Sequence, residues 1–234
     1  MLLTLFEPVR EHGRTMEARL EHGRTVLNVA LLWWEYGQLH EGAYPPLDPR
    51  PGVLLFDLSK VRAGYRLGPV FKGREKNPGN AAVFGDLNAN IAYSLEDLVE
   101  PGRYFYLGYA VTNEREGRSL LDAYRKQAAS GGGFADNLKV AMGSGTLGTD
   151  TLRLLNLNLL QTMASEGVAI DPATVLLSTI PVMIERPAEN DPPGGWVVYL
   201  DRQMKWLPYP GPFPMTEEFI RGLEDLTKLA AERK

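Results

Sequence analysis

Apolar positions recur with a helical period from Pro8 to about His40. Val9, Met16, Leu20, Leu27, Leu31 and Trp34 follow one another at spacings of 7, 4, 7, 4 and 3, which places them in one stripe of an α-helix. Pro8 suits the first turn, where its missing N–H is not needed. Gly13 and Gly23 interrupt the pattern, each weakening a helix by about 1 kcal/mol relative to Ala. Both fall in a short duplication, EHGRT at 11–15 and again at 21–25. The first half of the segment is charged outside the stripe. Val26–Trp34 is apolar all round, so this end is expected to be wrapped by the rest of the protein. GAYPPLDPRPG (42–52) stops the helix and continues as a stiff extended connector.

Beyond the connector, VLLFDL (53–58) reads as a buried strand, 59–92 as irregular, and 94–99 as a short helix or turn. RYFYLGYAVT (103–112), rich in aromatic residues, gives the clearest strand. Asn113 is placed to cap a helix over 114–129 with Leu120, Leu121 and Tyr124 inward, and SGGG (130–133) breaks it. The leucine-rich run over 146–166 predicts a further helix capped by Thr149 or Asp150. A strand follows over 174–185, where Pro181 demands an edge or a bulge.

The closing segment is dense in turn chemistry. WVVYL and QMKWL flank Asp201-Arg202, predicting a hairpin with a two-residue turn whose central residues both need positive φ. Arg at the second place costs roughly 1 kcal/mol. PYPGPFP (208–214) leads to Thr216, the cap of a last helix with Phe219, Ile220, Leu223 and Leu226 on one face. The predicted fold is α+β: a long N-terminal helix packed on a small antiparallel sheet, with further helices inserted. It forms one domain over 1–234, divided into a helix (1–41) and a globular part (42–234).

Composition narrows the chemistry. The 234 residues carry 44% hydrophobic and 23% charged residues, with a net charge of -4, the balance of an ordinary globular protein. No basic cluster marks a nucleic-acid interface. The absence of cysteine excludes disulfides, thiolate metal sites and cysteine nucleophiles. No apolar run approaches the roughly 18 residues of a membrane span, and no signal peptide is visible. The three histidines, His12, His22 and His40, are dispersed and read as solvated helix residues. GSGTLGTD (143–150) lacks the ending of a phosphate-binding loop and reads as a loop with a helix cap. Trp33, Trp34, Tyr36, Trp196 and Trp206 offer a ligand surface, but packing of helix on sheet accounts for most of them. Glu189, Asn190, Asp191 and Asp201 supply oxygens for a candidate calcium site; their spacing is not that of an EF-hand, and a turn role for Asp201 with solvated neighbours is the competing reading.

The order of these parts resembles the pilin-like and type II secretion pseudopilin-like proteins of planctomycetes and related bacteria, which carry a prepilin-type His-x9-Asp-Gly signature. The likeness rests on Pro181, Val182, Arg186, Pro187, Asn190, Gly194, Gly195, Val197, Tyr199, Leu200 and Asp201. It continues through Tyr209, Pro210, Gly211, Phe213, Pro214, Met215, Thr216, Glu217, Phe219 and Ile220. A weaker likeness spans 25–46, and 104–125 has a similar character. Asp191 stands where such proteins have the signature His, Arg202 where they have Gly, and Gln203 where they often have a second His. A prepilin segment with about 20 apolar residues is missing from the sequence. The resemblance implies a non-enzymatic structural subunit outside the cytoplasm (periplasm or cell surface). It would act by protein–protein packing in a filament or larger complex, with no catalytic residue, no cofactor and no nucleic acid. The alternative is a soluble accessory subunit that has lost filament assembly and binds one partner complex; a calcium- or ligand-binding module ranks behind both. Trp196, which stands in place of a usual Asn, is expected to be exposed. With Arg202, Trp206, Met16 and Leu20 it makes up the expected contact set.

Overall fold

A computed structural model of the protein describes residues 23, 26, 30, 33–50, 53–54, 56–57, 59–60, 103–130, 134–170, 175, 177–187 and 193–231. The expectations for 1–22, 61–100 and 188–192 lie outside these residues.

The architecture is α+β. A four-stranded antiparallel sheet has the order β1-β4-β5-β6, with β1 Tyr104–Tyr106, β4 Pro181–Glu185, β5 Gly194–Tyr199 and β6 Met204–Pro208. A separate two-stranded sheet joins β2 (Leu138–Lys139) to β3 (Thr151–Leu152). The described helices are α1 (33–39), α2 (Glu114–Ser130), α3 (Leu159–Ser165) and α4 (Glu217–Ala231). Gly23, Val26 and Ala30 are helical as well.

The main sheet is covered on both faces, because its side chains alternate between two hydrophobic partners. On one face Tyr106 meets Trp33 of α1, and Trp196 meets Gly23. On the other, Phe105 lies under the Arg186 guanidinium, which donates a hydrogen bond to Thr227 of α4, and Gly195 sits against Met215. Pro181 opens β4, an inner strand, and the register shifts between Pro181 and Met183. A bulge at the strand's first residue is how an inner strand accommodates a residue without an N–H.

Of the predicted stripe only Trp34 is among the described residues, and it is half-buried. Gly23, Val26, Ala30, Trp33, Tyr36 and Gly37 are buried, in line with an end of the helix that is wrapped by the rest of the protein. Two of these positions are glycines because of the space available. A Cβ on Gly23 would sit 3.2 Å from the Trp196 ring, and one on Gly37 would sit 2.8 Å from Leu157. The small residues that weaken the helix in isolation let it approach the sheet.

Three further differences concern local signals. Regular pairing in β1 ends at Tyr106, although Leu107–Val111 stays buried. Gly108 at φ 66 turns the chain, which then bonds 153–155 through Ala110 N–H to the Arg153 carbonyl and Leu155 N–H to the Gly108 carbonyl. The leucine run is not one helix over 146–166. It comprises a 3-10 turn at Thr146–Gly148, then β3, bridges at Leu154 and Asn156, and only then α3. Its buried positions Leu152, Leu155, Leu159 and Met163 have helical spacing, but the first two are recruited by extended partners. Lastly, 177–179 is a 3-10 turn rather than strand.

The caps predicted at Asn113 and Thr216 form, whereas Thr149 and Asp150 start no helix and lead instead into β3. Glu116 N–H donates to the Asn113 side chain, and Phe219 N–H to Thr216 Oγ1. The N-termini of α2 and α4 lie together: Thr216 donates to Glu114, and Arg118 pairs with Glu218 at 2.8 Å. Gly117 lies against Phe213 and Phe219, and Gly222 against Leu121, so the helices touch closely.

Two outcomes follow. Gly23→Leu forces the helix off Trp196 and lowers stability by about 1–3 kcal/mol in denaturant unfolding; an unchanged midpoint contradicts the contact. Glu116 is buried and accepts hydrogen bonds from Thr112 N–H and Oγ1, Asn113 and Gly148 N–H. Burial is the largest influence and raises its pKa against the pull of these donors. With the folded value above the unfolded one, its contribution is fully present below the ordinary carboxylate range and is lost as pH rises through the folded value. The stability difference between wild type and Glu116→Gln is therefore most favourable to wild type in acid and declines toward neutral pH. A difference that is flat or rises with pH contradicts this.

Candidate functional site

The expected contact residues gather on the β5–β6 hairpin, where the sheet meets α1. Trp196 and Trp206 face each other across the strands, with ring centroids 5.6 Å apart at 80°. Gly194 makes room, since a Cβ there would lie 3.0 Å from the Trp206 ring. Trp196 is half-buried rather than exposed: its indole rests on Gly23, and its backbone N–H donates to Glu185 Oε2. The expectation of an open contact surface at Trp196 is thus corrected by the helix that covers it. Met16 and Leu20, the helical part of the contact set, lie outside the described residues.

The hairpin turn also differs from the prediction. Arg202 N–H donates to the Tyr199 carbonyl and Tyr199 N–H to the Gln203 carbonyl, closing a three-residue loop, Leu200-Asp201-Arg202. Only Arg202, at φ 72, takes the left-handed conformation. That is the usual alternative to a two-residue turn, with the positive-φ residue in third place. Asp201 Oδ1 accepts the Gln203 N–H, so it serves the turn. Asp191, the other calcium candidate, lies outside the described residues. Among the described residues no group of three acidic, His or Cys side chains converges to hold a metal.

Arg202 has a second role. Its guanidinium carbon lies 4.9 Å from the centre of the Trp34 ring, fastening the turn to α1. The buried Tyr44 phenol lies in the same field: burial raises its pKa most, Arg202 lowers it and Asp201 raises it, and the net shift is upward.

The other candidate chemistries are occupied internally. His40 stacks on Tyr36 at 3.8 Å and 7°, and its Nδ1 bonds the Tyr36 carbonyl at 2.8 Å. His12 and His22 lie outside the described residues. In the 143–150 loop, Gly148 N–H is directed to Glu116 and Gly145 N–H to the Thr149 carbonyl. The first amide ties the loop to α2 and the second closes the loop on itself, so neither cradles a phosphate.

One site escaped the sequence. A cavity of about 460 Å³ opens between the end of α1, the 43–47 exit and the 134–166 region. Tyr36 and His40 form one wall, with Phe134 and Leu155 also lining it; Lys60, Arg153 and Glu166 bring charge. Arg153 is 9% exposed and its Nη2 lies 2.6 Å from Glu166 Oε2. That hydrogen bond holds the Glu166 carboxyl below its ordinary pKa. Arg153 sits inside the leucine run, where a helical reading places it on a surface. Only the long-range bridges Tyr109↔Leu154 and Ala43↔Asn156 turn it toward the cavity.

Among the described residues no helix is long and apolar enough to cross a membrane. Comparison with protein-family models, curated proteins and solved structures gives no match to this chain.

The hairpin fastening can be measured with a pair of variants. Arg202→Ala loses the cation–π contact and keeps the strained φ, lowering stability by about 0.5–1 kcal/mol. Arg202→Gly loses the same contact but relieves the strain, and recovers about 1 kcal/mol relative to Arg202→Ala. Equal stability of the two variants in urea unfolding contradicts the left-handed assignment.

Proposed function

We propose that this protein is a non-enzymatic assembly subunit of pilin-like or pseudopilin-like type, acting by protein–protein packing in a larger extracytoplasmic complex. The observation that carries the reading is the joint between helix and sheet. Trp33 is buried against Tyr106 and Phe56, Gly23 receives Trp196, and Arg202 closes the hairpin over Trp34. A helix held this firmly on an antiparallel sheet is suited to carry load between subunits. The Pro/Gly-rich closing segment supports the same reading: Gly211 N–H donates to the Met215 carbonyl and Tyr209 N–H to the Pro193 carbonyl, and Thr216 starts α4. The residues of the resemblance are thus used as scaffold. In this reading the contact surface comprises the N-terminal stripe with Met16 and Leu20, and the hairpin rim with Arg202 and Trp206.

Sedimentation velocity over a wide concentration range, with negative-stain microscopy, tests the proposal. Wild type is expected to form a discrete oligomer or filaments. Leu20→Glu is expected to abolish assembly while keeping the far-UV circular dichroism of the wild type, because interface cores exclude charge. A wild type that stays strictly monomeric at every concentration, or a Leu20→Glu variant that assembles as well as wild type, overturns it.

A further inference from the structure

The cavity beside α1 carries an incompletely used arginine. Arg153 is 9% exposed, and its Nε has no hydrogen-bond partner among the described residues. A buried N–H left in that condition is destabilising, because it has given up water without gaining an acceptor. A guanidinium presents Nε and Nη2 side by side, matched to the two oxygens of one carboxylate. Here the fork is half filled, by a single Glu166 oxygen on Nη2.

Glu166 is a weak occupant of that fork. Its side chain is 48% exposed, so solvent screens its ion pair and the pair contributes little. It also caps the C-terminal end of α3, where the free carbonyls disfavour negative charge. Lys60 adds a second cation to the lining, which leaves Lys60 and Arg153 against Glu166 alone. Two side-chain amides bring further donors: Asn137 and Asn156 each use Oδ1 to accept a backbone N–H, leaving their NH2 groups to donate. The remaining walls are apolar or aromatic, with the stacked Tyr36–His40 pair and Phe134 prominent. A volume of about 460 Å³ lies within the range of small-molecule sites.

We propose that this cavity binds a small organic carboxylate with a planar or branched apolar body. The ligand's carboxylate takes the Nε/Nη2 fork of Arg153 and displaces Glu166, while its apolar part lies against the Tyr36–His40 stack and Phe134. Glu166 acts as a built-in competitor that holds the arginine in register while the site is empty.

Isothermal titration of the full chain with phenylacetate and with phenylacetamide tests this. Phenylacetate is expected to bind, and the neutral amide to bind about tenfold more weakly, the worth of one charged hydrogen bond. Glu166→Gln removes the competitor from an exposed position and is expected to tighten phenylacetate severalfold without altering the amide. Arg153→Lys keeps the charge but loses the fork, and should weaken phenylacetate to the level of the amide. Because Arg153 is buried that variant can fail to fold; the amide control and Glu166→Gln then decide the matter. Absence of phenylacetate binding, equal affinity for acid and amide, or weaker binding by Glu166→Gln each overturns the proposal.

Discussion

The packing of Trp33 between Phe56 and Tyr106 is the contact on which the rest of this protein depends. The indole meets Phe56 edge-on at 5.4 Å and Tyr106 at 5.0 Å, and the two smaller rings meet each other at 88°. Tyr106 then donates its hydroxyl proton to the Pro45 carbonyl. One cluster thus joins a helix, the proline exit that follows it, Phe56 and the first strand of the sheet. Aromatic side chains contribute large buried areas and an orientation preference together, so such a cluster fixes both the distance and the angle of the helix. The functional surfaces are consequences of that placement. Trp34, next in sequence, is turned outward to receive Arg202, and Tyr36 and His40, one turn on, form a wall of the cavity.

The opposite face of the sheet is built by different means. There α2 and α4 pack through Gly117 and Gly222, with Leu121, Phe213 and Phe219 filling the space. Their N-termini are joined by Thr216–Glu114 and Arg118–Glu218. Acidic residues in both first turns, Glu114 and Glu116 in α2 and Glu217 and Glu218 in α4, suit the positive ends of two helix dipoles lying side by side. Glu116 goes further, reaching Thr112 and the Gly148 amide so that α2 and the 146–148 turn are held as one unit. The aromatic face determines where the helix lies, and the small-residue face holds the closing segment against it.

The parts legible in the sequence were those specified locally. The Asn113 and Thr216 caps, the position of the hairpin, the α+β class and the disturbance at Pro181 all follow from a few adjacent residues. The parts that were not legible depend on distant partners. The leucine run has helical spacing, yet Leu152 is drawn into pairing with Leu138 of β2, and 153–155 into extended pairing with 108–110 and with Tyr44. The burial of Gly23 and Gly37 was not legible because periodicity counts large apolar side chains, whereas close approach to Trp196 and Leu157 selects glycine. Trp196 looked like a surface residue because nothing in its own strand shows that a glycine ten residues before Trp33 covers it. Arg153 and Glu166 carry no sequence signal as a pair, since the fold alone brings one to a buried wall and the other to its rim.

Native-state hydrogen exchange of the wild-type protein across low denaturant concentrations tests the central claim most directly, that the helix is integral to the sheet's core through Trp33. Amides of α1, of the 43–57 segment and of 104–111 are predicted to open as one unit, converging on a common opening free energy with the same denaturant dependence. A helix that exchanges at low denaturant, while 104–111 keeps the protection of the global fold, would contradict the account.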